Sequence, residues 1–211
     1  MQSNEKAIHP EEKMASIMDK TTSPSSYCVS PDPALQFVFG MFGLMTWIST
    51  VVSMNPDAMF VKGVLQVCLG VAAFAGSCMN LRRGDPHGNV NLILSVILGF
   101  AFGITSLAPF FGSHIHTWLL STILLAGSVY MACFLPLLGD APIYIWGEHI
   151  FVCLGLFSKS LSDILSLSIL GEVGAWLLLG FALLALYQGI SDMYALCGRH
   201  LPQGPRMPKG K

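Results

Sequence analysis

The sequence predicts an all-α, polytopic membrane protein with six transmembrane helices per protomer and both termini in the cytoplasm. Three observations carry that expectation. Of 211 residues, 53% are hydrophobic and only 11% are charged, against about 25% in soluble domains, too few to clothe a water-facing surface. The charges are also segregated, with 8 of the 23 in residues 1–33, 4 in residues 198–211, and 11 in the 164 residues between. That middle stretch is a series of apolar runs of roughly 20 residues, the length that crosses about 30 Å of hydrocarbon as helix.

In chain order, residues 1–33 are rich in Ser, Glu, Lys and Pro and contain no apolar run long enough for a span or a signal peptide; they read as a disordered cytoplasmic tail. The first helix covers residues 34–54 and stops at Asn55-Pro56-Asp57, whose proline cannot continue it. The second covers 58–80 and is broken by Arg82-Arg83-Gly84-Asp85-Pro86. A third covers 89–111, with Pro109 near its end, and Gly112-Ser113-His114 leads to a fourth over 115–138. After Gly139-Asp140-Ala141-Pro142, a fifth spans 143–165 and a sixth 171–196. The transmembrane domain thus occupies residues 34–197, followed by a cytoplasmic C-terminal tail over 198–211.

Lys and Arg flanking a span are retained on the cytoplasmic side. The N-terminal tail carries Lys6, Lys13 and Lys20, the second-to-third loop Arg82 and Arg83, and the C-terminal tail Arg199, Arg206, Lys209 and Lys211. Six spans put all of these on one side; five or seven would split the two basic tails. The remaining lysines, Lys62 and Lys159, fall inside helices. A net charge of −1 with no basic patch argues against nucleic acid as a partner, and no phosphate-binding glycine motif suggests nucleotide hydrolysis. No nucleophile and base pair with catalytic spacing appears, so an enzyme is not expected. Nothing in the sequence calls for a cofactor or metal.

The six cysteines, Cys28, Cys68, Cys78, Cys133, Cys153 and Cys197, form no CxxC pair and mostly sit in apolar spans; they read as buried small hydrophobes. His114 and His116, two apart at a helix entrance, suit either a pH sensor or ordinary boundary polarity.

A solute path through a bundle needs a polar or aromatic stripe as well as small residues at helix contacts. Candidate faces recur at helical spacing: Phe39, Gly43, Thr46 and Thr50; Gly63, Gln66, Gly70 and Ser77; Asn91, Ser95, Gly99 and Ser106; and Trp176, Gly180, Tyr187, Ser191 and Tyr194. Close packing accounts for any one of these residues, whereas four such faces together suggest a narrow, small-residue-lined path. The fifth helix holds Glu148, His149, Lys159 and Asp163. Glu148 and Lys159 lie eleven residues apart and so share a face, with Lys159 and Asp163 an i, i+4 pair upon it. An isolated charge costs about 2.5–3.5 kcal/mol at the bilayer centre, which makes a functional role for these intramembrane charges the default. The alternative is a neutralised clamp between helices or subunits.

The residues Pro31-Asp32-Pro33 and Phe37-Val38-Phe39-Gly40, the run Phe74-Ala75-Gly76 followed by Arg82-Arg83-Gly84 and Gly88, and Gly174, Trp176, Tyr187, Gly198-Arg199 and Leu201-Pro202 come in order and spacing that resemble the acetate uptake transporter family, which includes the succinate and acetate permease. Ser30 stands where that family opens its motif with Asn, and Asp32, Ala34, Leu35 and Gln36 depart from its Ala, Leu, Gly and Leu, so the chain resembles a divergent member. The resemblance implies six-helix protomers assembled as homohexamers in the plasma membrane, each with its own pore for small monocarboxylates, chiefly acetate, moved in symport with protons. It places the constriction at Phe39, at Ser95 or Val96 where the family has a tyrosine, and at Val152. The family's second-helix Gln and Glu fall on Ala72 and Met79. Polar lining would come from Gln66, Asn91, Thr46 and Tyr187. Replacing the tyrosine by Ser or Val suggests a wider collar that tolerates acids such as lactate or succinate. Two alternatives stay open: a path for ammonium or another small solute, which Glu148 and Asp163 would favour, and a membrane sensor or scaffold that transports nothing.

Overall fold

The computed structural model describes residues 30–113 and 116–206. Six long helical passes follow one another there: α1 (Asp32–Val51), α2 (Pro56–Arg82), α3 (His87–Phe111), α4 (Thr117–Phe134, prolonged by the 3-10 turn Leu135–Leu138), α5 (Ile143–Leu165) and α6 (Ser168–Leu196). Apart from an isolated bridge between Pro142 and Arg206, the described residues contain no strand.

Local chemistry sets the helix ends. Asn55 caps α2, its side chain accepting from the Ala58 amide at 2.8 Å, and Pro56 takes the first helical position, where its missing N–H is not needed. Asp85 accepts from the His87 amide at 2.9 Å and so opens α3. That helix ends in the 3-10 turn Ala108–Phe111, and Gly112 at φ 69° reverses the chain in a conformation that side chains resist. Several boundaries differ from the expected ones by two or three residues: α1 runs Asp32–Val51, because Pro31 and Pro33 are compatible with a first turn, α2 runs Pro56–Arg82, α3 begins at His87 and α6 begins at Ser168. Asp32, in the first turn of α1 and not in the tail, accepts from Asn80 Nδ2 at 2.6 Å and ties the start of α1 to the end of α2.

The passes alternate in direction. The Ile143 amide donates to the Pro205 carbonyl at 3.0 Å, the Tyr187 hydroxyl donates to the Pro202 carbonyl, and Gly189 approaches Pro33. These contacts gather the start of α1 and α5, the end of α2 and α6, and the described C-terminal residues at one end, together with Arg82, Arg83, Arg199 and Arg206. The opposite end is held by Lys62 on Ser49, Lys159 on Thr50 and Ser121 on Asp163.

Small residues let the helices close up, as the sequence pattern suggests. A Cβ on Gly99 would lie 2.5 Å from the Gly70 Cα, and one on Gly43 would lie 2.6 Å from the Leu178 carbonyl. Gly155 and Gly174 bring α5 against α6 in the same way. Because the neighbour at Gly99 is backbone, Gly99→Ala must push α2 and α3 apart. We expect it to cost about 1–3 kcal/mol, as overpacking does, and to lower the thermal unfolding midpoint of the detergent-solubilised protein, whereas Val96→Ala on the outer face leaves the midpoint almost unchanged.

Among the described residues, five helices are long and apolar enough to cross a membrane: α1, α2, α3, α4 with its 3-10 extension, and α6. α5 matches them in length, with 23 residues, but carries Glu148, Lys159 and Asp163. Its buried face is Glu148, His149, Val152, Cys153, Gly155, Leu156 and Ser160. The protomer surface is correspondingly greasy, with Val61, Val71, Phe111, Trp118, Leu137, Ile169 and Trp176 each more than half exposed. Cysteines join it. Of those described, only Cys153 is buried, whereas Cys68, Cys133 and Cys197 are exposed; an apolar span has an outer face as well as an inner one, and composition does not say which face a residue takes. Cys28 and His114 lie outside the described residues, and His116 is exposed with its ring 6.3 Å from Trp118.

Candidate functional site

Along the axis between α1, α3, α5 and α6 the side chains fall into three layers. At the arginine-bearing end is a small polar chamber. Gln36 and Phe39 of α1, Val90, Asn91 and Leu94 of α3, Met131 of α4, Glu148, His149 and Val152 of α5 and Phe181 of α6 surround it, with His87 at its rim. Its volume of about 30 Å³ is room for a water or two. Glu148 is 4% exposed and Gln36 8% exposed. Neither Glu148 Oε2 nor Gln36 Oε1 has a hydrogen-bond donor among the described residues. Buried acceptors are costly to leave unmade, by about 1–3 kcal/mol each, so the chamber is short of hydrogens and suits an occupant that brings them. His149 Nδ1 donates to the Ile145 carbonyl at 2.9 Å, which fixes the ring and leaves the other nitrogen as its remaining polar atom. The Phe134 ring stacks on His149 at 5.9 Å and meets His87 edge-on at 5.4 Å, and His87 in turn is held 3.0 Å from Asp85 Oδ1.

One turn further along each helix the layer is apolar. Phe42, Leu98 and Leu156 are fully buried, and Phe39 meets Phe42 at a ring distance of 6.3 Å. Beyond it, at the other end, a half-open cavity of about 350 Å³ lies among Thr46, Ser49 and Thr50 of α1, Lys62 of α2, Phe102 of α3 and Lys159 of α5.

The sequence candidates divide over these layers. Phe39, Asn91, Val152 and Glu148 meet in the chamber; Thr46 and Lys159 line the outer cavity. Val96 does not reach the axis. It is 43% exposed on the outer surface. Ser95 is buried, yet its hydroxyl turns back to the Leu92 carbonyl at 2.7 Å and it is absent from the chamber wall. Leu94 and Leu98, four residues apart and in step with Val90, fill the axis of α3 in place of Ser95 or Val96, and the segment Ser95–Ala101 is π-helical. The collar is therefore not widened at this position. Gln66 is fully buried against α3, its Nε2 3.5 Å from the Leu98 carbonyl, and serves the helix contact. Tyr187 holds the C-terminal residues through Pro202 and meets Tyr144 edge-on at 5.4 Å. Lys159 and Asp163 make no ion pair: Lys159 Nζ donates to Thr50 Oγ1 at 3.5 Å, and Asp163 Oδ2 accepts from Ser121 at 2.9 Å. Neighbouring helices on two sides of α5 draw the two side chains apart.

Residues that the sequence did not single out also reach these layers. Gln36 was legible in hindsight, one turn before Phe39. Met131 and Phe181 sit in uninterrupted apolar runs and carry no signal. Lys62, placed only as a lysine within a helix, is brought beside Lys159 by tertiary packing.

Fold and surface together define a multi-pass helical membrane protein. No family model and no curated relative matches the sequence. Among solved structures, the bacterial acetate channel SatP superposes with a TM-score of 0.73, covering 87% of this chain and 99% of that one at 13% sequence identity. At that identity the match establishes a shared fold.

Proposed function

We propose that the chain is a transporter or channel for small monocarboxylates such as acetate, moved together with protons. The observation that carries this reading is the layering just described: buried Phe39 and Val152 close an axial chamber whose orphaned acceptors, on Glu148 and Gln36, suit a neutral acid that brings its own O–H. The overall likeness to an acetate channel adds the fold-level support. In the same reading α5 is also a membrane span, with Glu148 and Lys159 turned to the axis and Asp163 held by Ser121, and the domain occupies residues 34–197. The tails at 1–33 and 198–211 face the cytoplasm, on the side of the described arginines. The greasy outer surface meets plasma-membrane lipid and sister protomers in a homohexamer.

Uptake of labelled acetate into proteoliposomes tests it. Acetate should enter faster than into protein-free vesicles, and succinate more slowly than acetate because the chamber is small. Absence of flux for acetate, lactate and succinate alike, with the protein folded, supports a sensor or scaffold instead. A second reading, transport of ammonium, is favoured by the acceptor oxygens of Glu148 and Gln36; acetate-independent methylammonium uptake would establish it.

A further inference from the structure

The second axial cavity, at the end remote from Glu148, has a chemistry of its own. Three of its four hydroxyls, those of Thr46, Ser49 and Thr50, have already spent their hydrogens on the backbone, and Ser53 supplies the fourth. Thr46 Oγ1 donates to the Phe42 carbonyl at 2.9 Å, and Ser49 and Thr50 donate to the Thr46 carbonyl at 2.9 and 3.1 Å. Their oxygens therefore face the cavity as acceptors, and both lysines use them. Lys62 Nζ donates to Ser49 Oγ at 3.0 Å and Lys159 Nζ to Thr50 Oγ1 at 3.5 Å.

Each ammonium carries three N–H groups and no acceptor. With one spent on a hydroxyl, each keeps two, so the cavity presents four unspent donors and two positive charges. Among the described residues neither ammonium has a carboxylate within ion-pairing distance. Asp163, one turn beyond Lys159, is engaged by Ser121, and Asp57 lies with Lys62 on a separate outward groove. Two like charges sharing one partly enclosed space repel, and an anion between them reverses the sign of that term.

The geometry points to an anion-capture site at this cavity, formed by Lys62 and Lys159 and oriented by Ser49 and Thr50, whose ligand is a small organic carboxylate. A carboxylate has two oxygens with about four acceptor positions, which matches the four unspent N–H groups. The two ammonium charges set the preference, so the site favours a carboxylate over its neutral isostere. The cavity's 350 Å³ holds a short-chain acid with its solvating water. Placed on the axis beyond the Phe42, Leu98 and Leu156 layer, the site would load the path proposed above with the anion, and it deepens that proposal without depending on flux.

The test is acetate binding to the full-length protein in detergent, followed by saturation-transfer NMR or calorimetry, with acetamide as the uncharged isostere and chloride as a competing anion. Acetate is expected to bind and acetamide not. The Lys62→Gln/Lys159→Gln double variant should weaken acetate binding by about tenfold or more, each single variant less, and the Lys→Arg double variant should retain it because the charge is kept. Equal binding of acetate and acetamide, an unchanged constant in the Gln double variant, or displacement of acetate by chloride at equal concentration would each overturn the assignment. In proteoliposomes the same double variant separates the two proposals. A raised half-saturating acetate concentration with near-normal maximal flux supports the capture site. Unaltered half-saturation removes the site and leaves transport standing, and lysine-dependent binding without any flux does the reverse.

Discussion

Phe39→Ala is expected to raise uptake of lactate relative to acetate by about tenfold, equivalent to about 1.4 kcal/mol in the crossing barrier. The Phe39 ring is 1% exposed, forms one wall of the chamber opposite Val152 and Phe181, and braces Phe42 in the layer beyond. Deleting it enlarges the chamber just where the apolar layer begins, so the extra hydroxyl and carbon of lactate lose their steric penalty. The smaller acetate gains less. A buried Phe→Ala change also costs about 3–5 kcal/mol of folding stability, so the same assay on Phe39→Leu, which keeps most of the volume, should give an intermediate ratio with near-normal yield. An unchanged acetate-to-lactate ratio in folded Phe39→Ala protein would remove Phe39 from the path.

The same residues show what sequence can and cannot carry. Phe39 shares a regular α1 face with Gly43, Thr46 and Thr50, whereas Val152 follows from the family resemblance alone; both line the chamber. In α3 the resemblance puts the family's tyrosine at Ser95 or Val96, whereas Leu94 and Leu98 fill the axis. The segment Ser95–Ala101 is π-helical, and nothing in its composition announces it, since each is an ordinary apolar or small residue. The turns were legible for a complementary reason: Asn55-Pro56, Asp85-Pro86 and Gly112 have few other ways to behave. Partners were not. The fifth-helix spacing puts Lys159 and Asp163 four apart, but the helix twist and the neighbours Thr50 on one side and Ser121 on the other decide where their heads go. An i, i+4 ion pair is worth only about 0.2–0.5 kcal/mol, and a contact with a neighbouring helix easily outcompetes it. Small residues carried the opposite lesson. Gly43, Gly70 and Gly99 were readable as either path or packing, and their backbone-to-backbone approaches assign them to packing.

Glu148→Gln is expected to abolish acetate accumulation driven by an inward proton gradient, by about tenfold or more, while exchange of labelled for unlabelled acetate continues. Glutamine keeps the length and hydrogen-bonding capacity of the side chain but has no proton to give or take, so the substitution separates coupling from passage. The expectation follows from placement. Glu148 sits one turn before Val152 in the chamber wall, and its Oε2 lacks a donor. Among the described residues no lysine or arginine pairs with it, so an ionised carboxylate there bears a cost of about 2.5–3.5 kcal/mol on membrane-insertion scales. Either a proton on Glu148 or a donor from the passing acid removes that cost, which ties the proton's position to the substrate's. The chamber's other polar groups, Gln36 and Asn91, can hydrogen-bond the acid but cannot exchange a proton with it, and His149 is anchored at Nδ1 by the Ile145 carbonyl. His149→Gln should therefore leave gradient-driven accumulation largely intact, which makes it the control. If instead Glu148→Gln protein still accumulates acetate against its gradient while His149→Gln protein does not, the proton passes by the His87, Phe134 and His149 stack, and Glu148 serves only to position the acid.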